Sequence, residues 1–510
     1  MSLRLSAEPE DLKSRFATLK DAQDVANLLE IDRQHLNYHL YISPRSTRYT
    51  IFDIPKRSGG TRKISTPVTA LKIIQQKLNQ ILQQVYKPRP SVHSFISERS
   101  ILTNARAHVR REWVLNIDLK DFFPSITFPR VRGLFIAKPY QIVPAAATVL
   151  AQICCFEGKL PQGAPTSPIV SNMICAKLDN ELYRLARRHR CRYTRYADDI
   201  TFSISESDFP AALAKINSQG QLEIGNELDR IIQENWFEVN PDKVRLRRKN
   251  LWQEVTGLTV NERPNVKRQY VRQLRAMLHA WERFGIDNAE QEFLKRHDKK
   301  HRAPFKDPPS LEQVIDGKIG FLGMVIGKDN PVYLRYHRQF KRLCLLKMYE
   351  DLEKSQDHHS RGYLLEKLLN QMFKLYEIPA TNSFRRNQNA EQIDGAFEIS
   401  DCQYIVECRW REKLADIRQV DGLKGQVNRS GMSARGFFLS VNGWSDNVPN
   451  LMKQNPDKNI ILMNGEDLRC VLDTNRIDLQ DFIKAKIRQL SLATEPYYGA
   501  AEYLRDYRKA

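Results

Sequence analysis

The stretch RYADDITFS, residues 195–203, sets two carboxylates side by side, Asp198 and Asp199, between short runs that alternate apolar and polar residues. Such alternation is strand patterning, so the acids fall in a hairpin turn. A tight turn needs at most one Asp for its geometry, and adjacent like charges repel. The pair asks for a cation. Upstream, REWVLNIDLKDFF (111–123) reads as a buried strand closing on Asp118. If both strands belong to one sheet, three carboxylates converge. Hard oxygen ligands with spare coordination positions suit Mg²⁺, which keeps waters and takes up substrate phosphates. Two such ions about 3.5–4 Å apart stabilise the attacking and leaving oxygens of a phosphoryl transfer. A solvated turn is the competing reading of an isolated Asp-Asp.

The charge balance points the same way. The 510 residues hold 80 Lys+Arg against 60 Asp+Glu, a formal charge of +20, which suits a polyanion such as nucleic acid. A chain of this length exceeds one ordinary core and predicts two or more domains. MSLRLSAEPEDLK has no apolar signal-peptide core. The most apolar run, IVPAAATVLAQICCF (142–156), is broken by Gln152 and reads as a buried helix. Eight cysteines at irregular spacing form neither a disulfide framework nor a zinc pattern; Cys154 and Cys155 read as buried thiols. The expectation is a cytoplasmic protein without a membrane partner.

In chain order, residues 1–45 read as a charged helical extension. YTIFDIPKRSGGTRKISTP (49–67) reads as a hairpin around Gly-Gly, followed by the amphipathic helix ALKIIQQKLNQILQQVY (70–86). The Asp118 strand, a helix, the loop KLPQGAPTSP (159–168) and a long helix lead to the Asp-Asp hairpin. This order predicts a mixed sheet with helices on one face. Past residue 240 the chain turns basic, as in NPDKVRLRRKN (240–250) and VKRQYVRQLRAMLHAWERF (266–284). The hydrophilic stretch EDLEKSQDHHSRG (350–362) reads as a linker, with His358 and His359 solvated, and a second domain follows.

Three segments in this order, IDLKDFF, LPQGAPTSPIVSN and RYADD, together resemble the palm of reverse transcriptases. The resemblance implies an α+β right-hand polymerase: fingers and palm over 46–240 and a basic helical thumb over 241–345. It makes Asp118, Asp198 and Asp199 the catalytic metal ligands, with Mg²⁺ as cofactor. Phe123 stands where the family keeps an aromatic gate against a 2′-hydroxyl, favouring dNTPs; core packing is its other reading. Gln162 and Gly163 would lie under the nascent base pair. Arg62 would grip the incoming triphosphate, a forked donor suited to phosphate oxygens, with Lys63 and the Lys56–Arg57 pair able to assist. TNARAH (103–108) and VTGLTVN (255–261) resemble elements of retron reverse transcriptases. That implies RNA contacts from Asn104, His108, Val255, Thr256 and Gly257. It also implies a cognate noncoding RNA as primer and template, a cDNA product joined to RNA, and room for an oligomer built with the RNA–DNA hybrid. One departure is VHSFI (92–96), where relatives usually have Gly in place of Ser94.

After a linker at 346–360, residues 361–490 read as a separate α/β domain, followed by a tail at 491–510. SRGYLLEKLLNQMFKLYEI (360–378) is an amphipathic helix carrying Glu366; EQIDGAFEIS and QYIVECRWREK alternate as strands carrying Asp394 and Glu407. This constellation resembles restriction-endonuclease-like PD-(D/E)xK nucleases, in which acids hold Mg²⁺ and a lysine activates water. Here Arg409 stands at the lysine position. It keeps the charge but cannot lose a proton near neutral pH; Lys413 or Lys424 would have to reach in. A DNA-binding module without cleavage is the alternative. Trp410 and Trp444 read as core anchors. The resemblance as a whole implies a retron polymerase with a nuclease-like effector and a role in antiphage defence. A mobile-element enzyme priming on nicked DNA is the alternative, and a non-catalytic RNA scaffold is disfavoured by the intact acids.

Overall fold

In the first half of the chain the decisive element is the strand WVLNID, whose Val114, Leu115 and Ile117 are buried. The computed structural model describes residues 3–55, 59–300, 308–386, 391–431, 433–454, 458–474 and 476–507, and Lys56 and Arg57 lie outside them. The chain divides into two units, one formed mainly by residues up to Val271 and one mainly by residues from Arg272.

The first unit opens with helices Pro9–Ala17, Ala22–Leu28 and Arg33–Asn37. Leu12, Phe16, Val25 and Leu29 enter the same core as the later sheet, so the expected extension is an integral layer. Strands β1 (Tyr49–Pro55) and β2 (Thr61–Pro67) form the expected antiparallel hairpin. The helix Thr69–Val85 buries Leu71, Ile74, Leu78, Ile81 and Leu82 at three-and-four spacing. Strand β3 (Trp113–Asp118) follows; the apolar run becomes the helix Pro144–Cys154, with Cys154 buried. Strands β4 (Arg192–Tyr196) and β5 (Asp199–Ile204) flank the Asp-Asp turn. Strands β6 (Ala214–Ile216) and β7 (Leu222–Ile224) make a small separate hairpin. Strand β8 (Arg245–Arg248) is followed by the two-residue strands β9 (Glu254–Val255) and β10 (Leu258–Thr259).

The central sheet has the order β4-β5-β3-β8 and every pairing in it is antiparallel. Leu115, Ile117, Ile200 and Phe202 face the helical core. The alternation then turns Asn116, Asp118, Asp199 and Thr201 to the opposite face. Because Asn116 pairs with Arg245 and Val114 with Arg247, the basic segment after residue 240 is the sheet's edge strand. The boundary expected at 240/241 therefore falls inside the sheet.

The second unit begins with helices, as expected of a basic helical segment: most of Arg268–Phe284, then Ile286–Lys300 and Leu311–Ile326. Pro331–Lys354 is a single 24-residue helix, capped by the Asn330 side chain, and it runs through much of the expected linker. Its Phe340 packs edge-on to Trp281 at 5.9 Å. Further along, Tyr349 stacks on Trp410 at 5.4 Å, and its hydroxyl donates to the Gly465 carbonyl at 3.3 Å. Buried Arg342 bridges Glu282 and the Leu472 carbonyl. A hydrophilic composition misled the linker reading, because only one stripe of this helix is apolar.

Strands β11 (Ala380–Arg386), β12 (Glu391–Ile399) and β13 (Cys402–Arg409) run antiparallel, and β14 (Ala434–Ser440) and β15 (Ile460–Asn464) continue the sheet in parallel, in the order β11-β12-β13-β14-β15. Buried Phe397, Tyr404 and Phe437 pack on the helix His358–Leu375 side of the core. The expected tail is ordered too: Leu479–Ala493 and Ala500–Tyr507 are helical. Buried Lys486 donates to Asp467 at 2.9 Å and to the Tyr498 carbonyl at 2.6 Å, and Asp467 accepts from the Ala500 amide at 2.7 Å. Among the described residues no helix is long and apolar enough to cross a membrane.

Gly465 lets Tyr349 approach, since a Cβ there would lie 2.5 Å from the Val441 carbonyl oxygen and 2.8 Å from the Tyr349 hydroxyl. Gly465→Ala is expected to destabilise the second unit by about 1–3 kcal/mol, as overpacking does. Urea unfolding followed by Trp410 fluorescence checks this; an unchanged midpoint would contradict it.

Candidate functional site

Register brings the first two carboxylates together. Asp118 ends β3 directly opposite Asp199, the first residue of β5. The turn before β5 holds Asp198, whose carbonyl accepts from the Leu119 amide at 3.0 Å, tying the turn to the end of β3. Burial, then the neighbouring Asp118, raises the Asp198 pKa, against the pull of Lys243 and Arg62. Asp199 keeps solvent on one side. Desolvation by the protein around its other sides, then Asp198 and Asp118, pushes it upward as well. Each shift reports first the loss of water around the carboxylate and then the neighbouring negative charge.

One compensating cation is resident. Lys243 Nζ lies 2.8 Å from Asp118 Oδ2, and Asn240 Nδ2 donates to Oδ1 at 3.3 Å. Neither residue was singled out from the sequence, where Lys243 was one basic residue among many. Its signal was position: NPDK immediately precedes a strand that joins the sheet. Among the described residues no three His, Cys, Asp or Glu side chains have their donor atoms gathered for an ion. The fit to Mg²⁺ thus rests on the donor chemistry: three carboxylates on adjoining positions, two with raised pKa and one turned towards an ammonium.

The hairpin β1–β2 sets Arg62 and Lys63 on its exposed end. Arg62 acts electrostatically on Asp198. The Gln162–Gly163 loop is fastened to this hairpin, the Ser65 amide donating to the Gln162 carbonyl at 2.7 Å. Gly163 has φ +114°, and a Cβ there would lie 3.0 Å from both Ile64 Cγ2 and the Ser65 carbonyl oxygen. Both the left-handed backbone and the close approach require glycine. Phe123 is half-buried, edge-on to Phe122 at 5.2 Å, which stacks on Phe237. Asp118, Asp198, Asp199 and Arg62 thus share one electrostatic neighbourhood.

Asn104 and His108 are buried rather than presented to a ligand. His108 bonds Ser203 Oγ through Nδ1 and Thr194 Oγ1 through Nε2, both at 2.7 Å, bridging β5 and β4 on the face that carries the acids. Asn104 Nδ2 reaches Thr256 Oγ1 at 3.5 Å, and Thr256 donates to the Ile101 carbonyl at 3.2 Å. The two elements expected to contact RNA therefore hold each other and brace the sheet. Val255 is buried, Thr256 is half-buried, and Gly257, at φ +83°, is exposed at the turn. Of the five residues expected to contact RNA, Gly257 is the exposed one.

In the second unit, Glu366 from the helix His358–Leu375, Asp394 from β12 and Glu407 from β13 lie near enough to act on one another electrostatically. Burial first, then Asp394 and Glu407, pushes Glu366 up to about 7, opposed by a hydrogen bond from Ser383. Asp394 Oδ2 accepts from the Cys408 amide at 2.9 Å, and Arg409 pairs with Glu407. Of the three acids, Glu366 lines a cleft of about 820 Å³, together with Tyr363, Ser383, Phe384 and Arg385. Lys413 is exposed, and Lys424 lines a different cavity with Asp421 and Asn459. Trp410 is buried, as expected of a core anchor.

Comparison with known proteins bears on the first unit. Residues 54–260 match the family model described as reverse transcriptase (RNA-dependent DNA polymerase). The retron Mx65 reverse transcriptase of Myxococcus xanthus is 41% identical over 276 residues, 50% of this chain and 62% of the relative. The retron Mx162 enzyme of the same organism is 36% identical over 306 residues, covering 55% and 58%. The retron Ec86 reverse transcriptase of Escherichia coli is 31% identical over 264 residues, 51% of this chain and 78% of the relative. The chain belongs to the retron reverse transcriptases. It spans about six tenths of the length of each Myxococcus relative.

The His108 brace has a pH signature. Burial, with Arg111, His93 and Arg192 nearby, lowers its pKa from 6.5 to about 3. Above pH 6.5 the imidazole is neutral in both folded and unfolded chains and costs nothing. Below it the unfolded chain takes a proton that the folded one refuses, so stability falls by about 1.4 kcal/mol per pH unit. Between pH 7.5 and 5, wild type should lose about 2 kcal/mol relative to His108→Gln in urea unfolding. Parallel pH profiles would contradict the assignment.

Proposed function

We propose that the chain is an RNA-directed DNA polymerase that copies a cognate noncoding RNA, serving as primer and template, into RNA-linked single-stranded DNA. The observation that carries this reading is the register of Asp118 against Asp199, with Asp198 in the adjoining turn, at the end of a buried central strand. Asp118, Asp198 and Asp199 would hold Mg²⁺, which when bound supplies charge neutralisation at phosphoryl oxygens. Arg62 and Lys63, on the hairpin end, would bind the triphosphate of an incoming dNTP. Phe123 would exclude a 2′-hydroxyl, and the Gln162–Gly163 loop, pinned to β2, would support the base pair. Lys243 would hold Asp118 oriented until the site fills. The edge-strand residues Arg245 and Arg247, with Lys267, offer phosphate contacts without sequence readout.

The test is to express the chain with its native flanking DNA and sequence the short DNA recovered. A discrete single-stranded species joined to RNA is expected, lost in an Asp198→Ala twin whose primer extension falls by at least roughly 10²–10³-fold. Extension of an added primer without any such species would favour the mobile-element reading instead.

A second activity is supported by the mutual electrostatic influence of Glu366, Asp394 and Glu407 and by the cleft that Glu366 lines. We read residues 361–490 as a restriction-endonuclease-like effector acting on DNA, with a defence role held in check by the RNA–DNA hybrid. Arg409 would stabilise phosphate charge and leave water activation to another group, because a guanidinium does not release its proton. Expression without the RNA should poison cells, and Asp394→Ala should remove the toxicity. Harmless expression of wild type would leave a DNA-binding domain without cleavage.

A further inference from the structure

The residue that aims the acids is Ala197, immediately before Asp198. Its φ is +55°, a left-handed conformation that an L-residue with a Cβ adopts only under constraint. Both of its backbone polar groups are held by buried side chains. Its amide donates to Ser94 Oγ at 2.8 Å, and its carbonyl accepts from Arg195 Nη1 at 3.0 Å.

Those two side chains are themselves fixed. Arg195 forms a two-pronged pair with Asp179, Nε to Oδ1 at 2.7 Å and Nη2 to Oδ2 at 2.8 Å, and Tyr193 also donates to Asp179 Oδ1 at 2.7 Å. Asn172 closes the ring, accepting from Arg195 Nη2 at 3.2 Å and donating to the Ser94 carbonyl at 2.9 Å. The backbone agrees, since the Arg195 amide donates to Ser91 and the His93 amide to Arg195, each at 2.9 Å. Ser94, Asn172, Asp179 and Arg195 have no solvent exposure. A buried ion pair of this kind is weak evidence of stability, and its best use is to specify one geometry.

We infer that Ser94, with Arg195, Asn172 and Asp179 behind it, is a positioning residue that clamps Ala197 in its left-handed conformation and thereby sets where Asp198 and Asp199 present their carboxylates. This rests on the polymerase reading for its catalytic consequence but not for its effect on cation binding. Like charges in the turn push it open, and the clamp opposes that push before any cation arrives. Removing the Ser94 hydroxyl orphans a buried amide next to the acids, whereas the buried Ser171 hydroxyl donates to the Pro168 carbonyl of its own helix and makes no bond to the turn.

The experiment uses the full chain in a Glu366→Ala background, which silences the second acidic cluster. Mn²⁺ binding, followed by electron paramagnetic resonance, is compared for Ser94 and Ser94→Ala, with Ser171→Ala as a control of similar chemistry. Ser94→Ala should weaken Mn²⁺ binding about ten-fold and lower kcat for dNTP incorporation roughly ten- to hundred-fold, with KM for dNTP within about two-fold. Adding Ala197→Gly, which adopts φ near +55° freely, should restore part of both losses. Ser171→Ala should lower thermal stability alone. Unchanged Mn²⁺ affinity in folded Ser94→Ala, or losses matched by Ser171→Ala, would overturn the inference. A wild type that binds Mn²⁺ yet extends no primer would refute the polymerase reading, while the Mn²⁺ comparison still judges the clamp.

Discussion

Everything in the first unit depends on one pairing register, that of β3 on β5. It sets Asp118 against Asp199 and Ile117 against Ile200. A slip of one residue would turn the apolar set to the acid face and the acids into the core. The register is held from both sides of the sheet. On one face Leu115, Ile117, Ile200 and Phe202 are locked into the helical core. On the other, Asn116 Nδ2 donates to Thr201 Oγ1 at 3.3 Å across β3 and β5, and His108 ties β4 to β5 through Thr194 and Ser203. The face that carries the acids is polar, so side-chain hydrogen bonds secure it.

The same constraint explains why the retron-like motifs sit where they do. Asn104 and Thr256 connect the helix Ile101–Arg106 to the β9–β10 hairpin, and His108 connects the end of that segment to the sheet. The exposed Gly257 turn is therefore tied to the strands carrying the acids by two side-chain links, Thr256 to Asn104 and His108 to Thr194 and Ser203.

Much of this was legible in the sequence because it rests on local patterning. The Asp-Asp turn, the buried strand ending at Asp118, the Gly-Gly hairpin and the helix after it follow from period and turn chemistry. The rest depends on long-range placement. Lys243 is 125 residues from its partner Asp118, and nothing local distinguishes it from the arginines that follow. Ser94 stands out in the sequence only as a departure from the usual glycine, yet its hydroxyl accepts the amide of a residue 103 positions away. The linker at 346–360 was misjudged for a different reason: Tyr349 and Leu352 are the only buried positions in an otherwise charged turn of helix. Average hydrophilicity hides a stripe that narrow.

The two acidic sites are built on one plan with different cations. Lys243 holds Asp118, and Arg409 holds Glu407. Lysine is a point charge on a flexible stem, and Lys243 is half exposed, so it can swing away when a divalent ion arrives. Arginine carries a planar fork fixed two residues from the carboxylate it holds, on the same face of β13, and its charge is permanent. Any group that approaches Glu407 must share it with that fork or displace it. The cost falls on Glu407, while Asp394, anchored by the Cys408 amide, and Glu366, raised to about 7, keep their places. Glu407 is thereby held more firmly than Asp118, whose ammonium partner stands on a flexible and half-exposed stem.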